Sequence, residues 1–160
     1  MPNIILASKS QVRRKILEKN NINCLVEPSN VDEEPVKASL IKEGASPEMI
    51  SKNLAELKAN KVSQKMDQEL VLGADSVIDL NGELISKPIN REEAIVILKK
   101  LNWKKHNLIS SVCISKNGSM IWNYSDKATL NMKTFSDEEL ISYLSKITDE
   151  NLYACLLYTS

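Results

Sequence analysis

Two short stretches of the chain combine the residue types that phosphate chemistry needs. Ser8-Lys9-Ser10, followed by Arg13 and Arg14, stands where an apolar run ends and a helical pattern begins. Free backbone N–H groups at a helix start, serine hydroxyls and the planar fork of arginine all suit phosphate oxygens. The same spacing also fits a capped surface helix with solvated basic residues. Gly73-Ala74-Asp75-Ser76 interrupts the most apolar stretch of the chain, Leu70 to Leu80. A carboxylate there is costly to bury unless it is paired, protonated or holding a cation. In the last case Asp75 could hold Mg²⁺ and take a proton from attacking water, the two tasks that polyphosphate hydrolysis requires. Otherwise it begins a turn or bonds a neighbouring backbone N–H.

Other residues are less selective. Lys58 and Lys87 are point charges suited to polyphosphate oxygens, but the chain is rich in lysine and spacing alone does not select them. Asp32-Glu33-Glu34 could add a second carboxylate to a cation site, although such triplets are more often solvated. His106, the only histidine, has no evident nucleophile partner and reads as a structural or surface residue. Trp103 and Trp122 read as core or interface residues rather than platforms for a base.

The elements that must position these groups can be read from periodicity. Ile4 to Ala7 reads as a buried strand, and Val12, Ile16 and Leu17 mark a helix capped by Ser10 and closed by Asn20-Asn21. Ile22 to Glu27 reads as a second strand, and Pro28 to Ala45 as a long loop with one irregular turn at most. Ser46-Pro47 opens a helix whose stripe is Ile50, Leu54, Leu57 and Lys61, with Lys58 at its edge. Asn81-Gly82 joins Leu70–Leu80 to a short returning strand. Asn90 with Glu93 starts a helix carrying Ala94, Ile97, Leu98 and Leu101. A second hairpin joins Leu108–Ser115 to Met120–Met132 around Asn117-Gly118. Ser136 with Glu139 forms a capping box before Leu140, Tyr143, Leu144 and Ile147. Leu152-Tyr153-Ala154 resembles the opening of another strand. The alternation of strands and helices, without repeat or linker, implies an α/β fold in a single domain.

At 160 residues the chain suffices for one core. Lys plus Arg and Asp plus Glu number 21 each, so no net field favours nucleic acid or an anionic membrane, and an anion site must be built locally. Cys24, Cys113 and Cys155 have no zinc or redox spacing, which suits a reducing compartment. The N-terminus lacks the apolar core of a signal peptide, and no stretch approaches the length of a membrane span. A cytoplasmic location is expected.

Five segments in this order resemble the Maf family of nucleoside triphosphate pyrophosphatases, from Ile4 to about Ala154. They are Leu6-Ala7-Ser8-Lys9-Ser10 with Arg13, Val31-Asp32-Glu33, Leu54-Ala55 with Lys58-Ala59, Gly73-Ala74-Asp75-Ser76-Val77, and Gly82-Glu83 with Lys87-Pro88. The resemblance implies an elongated, twisted mixed β-sheet flanked by helices, a nucleotide cleft and frequently a homodimer. It also implies a divalent cation, Mg²⁺ first, with Mn²⁺ or Co²⁺ as alternatives. On this reading Asp75 is the general base and a metal partner, and Glu33 is a second acid at the metal. Ser8, Arg13, Lys58 and Lys87 hold the triphosphate, and Ser10, Arg14 and Ser76 complete the candidate substrate-binding set.

The sequence departs from the common family pattern in its first motif, where Gln11 replaces a proline and Val12 takes the place of the first arginine. Ser76 stands where a pyrimidine-nucleotide subgroup has threonine and a methylguanosine subgroup has glutamine, and it leans toward the former. The implied activity is hydrolysis of a normal or modified nucleoside triphosphate to monophosphate and pyrophosphate, clearing unwanted nucleotides. The competing reading is a non-hydrolytic nucleotide-binding regulator of septum formation or cell division. Residues 1–154 are expected to form one domain lacking its C-terminal part, with 155–160 as a non-native tail and weak activity or poor solubility as a result.

Overall fold

A computed structural model describes residues 3–149. The expected strand at Leu152-Tyr153-Ala154, Cys155 and the tail at 155–160 lie outside the described residues. In chain order the elements are β1 (Ile4–Leu6), α1 (Gln11–Lys19), β2 (Cys24–Val26), α2 (Glu33–Lys42), α3 (Pro47–Ser63) and β3 (Leu70–Leu80). They continue with β4 (Glu83–Ile85), α4 (Arg91–Leu101), β5 (Lys105–Lys116), β6 (Ser119–Asn131) and α5 (Asp137–Ser145). The six strands form one mixed sheet in the order β2-β1-β3-β5-β6, with β4 paired to β3. β1 runs parallel to both β2 and β3, and β4 returns antiparallel to β3 with Ile78 opposite Ile85. An α/β fold with a helix-flanked mixed sheet is therefore present.

The contacts divide the chain into two units. The first comprises the residues up to Val77 together with Ile109–Lys127. Its core gathers Ile5 and Ala7 from β1 and its end, Ala55, Ala59 and Val62 from α3, Val71 from β3 and Cys113 from β5. The second comprises Ile78–Leu108 with the described residues from Ala128 onward. There Ala94, Ile97, Leu98 and Leu101 of α4 pack with Leu140 and Leu144 of α5 and with Leu80 and Ile85. This is the stripe that periodicity predicts for α4. Arg91 adds hydrogen bonds to the Leu144 and Ile147 carbonyls, at 2.9 Å each, and to Asp149.

Local chemistry explains most boundaries. Ser10, Ser46, Asn90 and Ser136 each accept a hydrogen bond from the backbone N–H three residues on, and Ser136 with Glu139 closes a full capping box. Asn81 and Gly82 both have positive φ, 51° and 90°, as a tight hairpin requires.

Three expectations need correction. The segment read as loop holds a ten-residue helix, α2. Its acids and proline act as a helix start rather than as breakers. Glu33 and Glu34 lie at the positive end of the helix dipole, and Pro35 falls in the first turn, where its missing N–H costs nothing. α2 buries no residue fully. On α3 the inward face is Ile50, Ser51, Leu54, Ala55, Lys58, Ala59 and Val62, whereas Leu57 is exposed. Of the core and interface alternatives for the tryptophans, the core is excluded, since Trp103 is 77% exposed and Trp122 is 49% exposed and stacks on Tyr124.

The inward rotation of α3 depends on Gly73. A Cβ at that position would stand 2.2 Å from the Ala55 carbonyl oxygen and 2.8 Å from the Ala59 nitrogen, both backbone atoms. Backbone cannot yield as a flexible side chain can, so Gly73→Ala is expected to cost about 3 kcal/mol or more of unfolding free energy. Urea denaturation measures this, and an unchanged midpoint would mean that α3 does not lie against β3 as described.

Candidate active site

The sheet register brings the first two candidate segments together. β1 pairs with β3 up to Leu6 opposite Leu72, and the Ala7 N–H donates to the Leu72 carbonyl at 2.9 Å. Beyond that step β1 turns away into the serine segment, while β3 continues through Gly73 to Asp75. The end of β1 and the polar interruption of β3 are thus neighbours for a structural reason.

Ser8 is the hub of the serine segment. Its hydroxyl oxygen accepts from the Ser10 N–H at 3.1 Å and from Arg13 Nη1 at 3.2 Å, while Ser10 caps α1 through the Arg13 N–H. The hydroxyls, the guanidinium and the start of α1 form the cradle that their spacing suggests. Arg14 does not join it. Its guanidinium pairs with Glu18 at 2.8 Å on the exposed face of the helix.

Asp75 is 5% exposed, and burial pushes its carboxyl above the ordinary carboxylate range. Lys58, which is itself buried, opposes that shift most strongly, and Arg13 opposes it weakly, while the nearby Glu33 carboxylate adds to it. The Lys58 ammonium has three protons and three neighbours. It lies 3.0 Å from Asp75 Oδ1, 3.3 Å from the Ala74 carbonyl oxygen and 2.5 Å from Glu33 Oε1. Glu33, left undecided by sequence reasoning, is brought in by α2. Two carboxylates thus surround this one lysine.

The second oxygen of Asp75 is buried and has no hydrogen-bond partner among the described residues. A buried carboxylate oxygen with nothing to bond is expensive. Together with Glu33 it presents the oxygen donors that a hard divalent cation prefers, one or two carboxylates with waters and phosphate oxygens completing the shell. These residues therefore fit such an ion.

The remaining candidates have other contacts or belong to the second unit. Ser76, next to Asp75 on β3, shares a hydrogen bond with Ser110 at 3.2 Å. Lys87 follows β4 in the second unit, and the contacts that assemble the acid–lysine cluster come from the first. His106 is 2% exposed in the second unit, and burial pushes its pKa down. Neither ring nitrogen has a hydrogen-bond partner among the described residues. It lines a cavity of about 510 Å³ with Leu98, Met132 and Phe135. Sequence reasoning missed Ser51, a fully buried serine whose hydroxyl lies 3.3 Å from the Asp75 carbonyl oxygen. Its spacing of seven residues from Lys58, two helical turns on one face, was the available signal.

Lys58 holds the Asp75 carboxyl down, so Lys58→Met is expected to raise its midpoint further. The carboxyl of Asp75 in isotope-labelled protein, followed by NMR across pH, measures this; a lower or unchanged midpoint would contradict the pairing. The stability sign follows. With its folded pKa above the unfolded one, Asp75 binds more protons in the folded state between the two values. Its contribution therefore falls as pH rises through that window, and the window is wider in the variant.

The family model described as Maf-like protein matches residues 3–155. A nucleoside triphosphate pyrophosphatase of Pelagibacter ubique is 67% identical over 155 residues, spanning 97% of this chain and 80% of the relative. A nucleoside triphosphate pyrophosphatase of a Ruegeria species is 40% identical over 143 residues, spanning 89% of this chain and 72% of the relative. Among solved structures, the Ham1 protein of Staphylococcus aureus superposes with a TM-score of 0.54 at 16% identity, over 81% of this chain and 71% of that one. That last likeness concerns the fold.

Proposed function

The chain belongs to the Maf-like protein family, and we propose that it is a hydrolase splitting a nucleoside triphosphate into its monophosphate and pyrophosphate. The observation that carries this reading is Asp75, a buried carboxylate with one oxygen on Lys58 and the other without a partner among the described residues. Binding a nucleotide does not demand such an acid, whereas hydrolysing one does.

Each residue has a role that its position supports. Ser8, Ser10 and Arg13 donate to the phosphate chain from the start of α1, and Lys58 adds positive charge. Asp75 accepts a proton from the water whose oxygen bonds to the α-phosphorus. The bond from that phosphorus to the bridging oxygen breaks, and pyrophosphate leaves with the electron pair. Asp75 with Glu33 would hold a divalent cation, Mg²⁺ by the preference of hard oxygen donors. When bound, that ion neutralises phosphate charge and raises the electrophilicity of phosphorus. Arg14, committed to Glu18, has no part in this assignment.

We place the activity in the cytoplasm, as disposal of unwanted nucleotides. Cys24 and Cys113 are free thiols, and among the described residues no helix is long and apolar enough to cross a membrane.

Pyrophosphate release from a panel of nucleoside triphosphates with Mg²⁺ tests the proposal. Asp75→Asn is expected to lower kcat by a factor of about 10³ or more while nucleotide binding persists. Wild-type turnover is expected to depend on the metal and to fall on the acid side as Asp75, which must be ionised to act, takes up a proton. Metal-independent turnover, or an active Asp75→Asn, would overturn the assignment.

A further inference from the structure

Behind Asp75 a row of buried hydroxyls crosses the first unit from helix to sheet edge. Ser51 Oγ on α3 lies 3.3 Å from the Asp75 carbonyl oxygen and 2.8 Å from Ser111 Oγ on β5. Ser111 Oγ in turn lies 2.8 Å from Ser125 Oγ on β6. Ser51 is 0% exposed and Ser111 is 1% exposed, and Ser125 is the one residue of β6 that is not exposed. Each hydroxyl has one proton and a carbonyl can only accept. Ser51 stands in donor geometry toward both Ser111 Oγ and the Asp75 carbonyl, so its one proton is shared between them.

The adjoining carbonyl is held in the same way. Where the pairing of β1 with β3 has ended, the Ala74 carbonyl receives Lys58. Two successive peptide carbonyls of β3 are thus tied to two side chains of α3 that stand two turns apart on one face. Gly73, just before them, is what lets the helix approach closely enough. The carboxylate of Asp75 extends from a stretch of backbone clamped at both of these points.

We propose that Ser51, held in place by Ser111, is a positioning residue for Asp75, fixing the backbone from which the carboxylate reaches Lys58 and the attacking water. This rests on the hydrolase reading given above. Misplacing a reacting group by a fraction of an ångström lowers turnover without weakening substrate binding. A serine serving only to fill the core would instead affect stability alone.

Ser63 supplies the comparison, because it is also 0% exposed and on α3, but its hydroxyl accepts from the Gly118 N–H at 2.9 Å. Steady-state pyrophosphate release and amide hydrogen exchange are measured on the full chain for Ser51→Ala, Ser51→Cys, Ser111→Ala and Ser63→Ala. Ser51→Ala is expected to lose about tenfold in kcat with KM within about twofold. Ser51→Cys, which keeps the shape with a weaker donor, should lose about as much, and Ser111→Ala about threefold. Ser63→Ala should lower the melting temperature and keep kcat. Exchange at the Asp75 and Ser76 amides should quicken in the Ser51 variants and not in Ser63→Ala. Equal kcat in Ser51→Ala and Ser63→Ala, or full recovery by Ser51→Cys, overturns the proposal. Should Ser51→Ala fail to fold, the Ser51→Cys and Ser111→Ala results decide by the same criteria. An inactive wild type would sink the hydrolase reading by itself, and unchanged exchange at Asp75 would then overturn the positioning role separately.

Discussion

A carboxylate inside a β-sheet is tolerable only when something replaces the water it has lost, and in this chain the replacement is the ammonium of Lys58. It hydrogen-bonds two acceptors on β3 and forms an ion pair with Glu33 on α2. That arrangement dictates the rest of the first unit. α3 must lie close to β3, so Gly73 has no side chain at the crossing. α2 must bring Glu33 to the same point, and β1 must end early enough to leave the Ala74 carbonyl for the lysine. The cluster remains incomplete in hydrogen bonding, because one Asp75 oxygen lacks a partner among the described residues. Incompleteness of this kind is costly in a purely structural ion pair and useful in a site that receives a cation.

Much of this was legible in the sequence. Ser10, Asn90 and Ser136 announced helix starts that the backbone N–H groups confirm, and Asn81-Gly82 announced its hairpin. Those signals are local, since a capping oxygen or a positive φ acts within three residues of itself. The four buried residues of α4 were readable for a similar reason, because an amphipathic helix of eleven residues displays its inward face directly. Asp75 was conspicuous because it interrupts an apolar run.

What the sequence concealed depends on distant contacts. α2 was mistaken for loop because its acids and proline act as breakers in most positions and as helix starters only in the first turn. Leu57 was assigned inward and Lys58 to an edge, since periodicity treats a lysine as polar until a partner for it is known. The contact that turns α3 lies at Gly73, ten residues beyond the helix end. Arg13 and Arg14 could not be told apart in the chain, yet one bonds Ser8 and the other Glu18. Ser51 was invisible for the same reason, as nothing marks a serine whose acceptor is a carbonyl 24 residues away.

The lack of a fully buried residue on α2 has its own consequence. A helix that contributes so little apolar surface gains little from the hydrophobic effect, so its hold on the fold is largely electrical, through Glu33 at its first turn. Segments anchored this way open at a lower free energy than the core around them. The acid that α2 delivers is therefore carried by a helix with little apolar anchorage, so the position of Glu33 is more open to disturbance than the packing of α3 on β3.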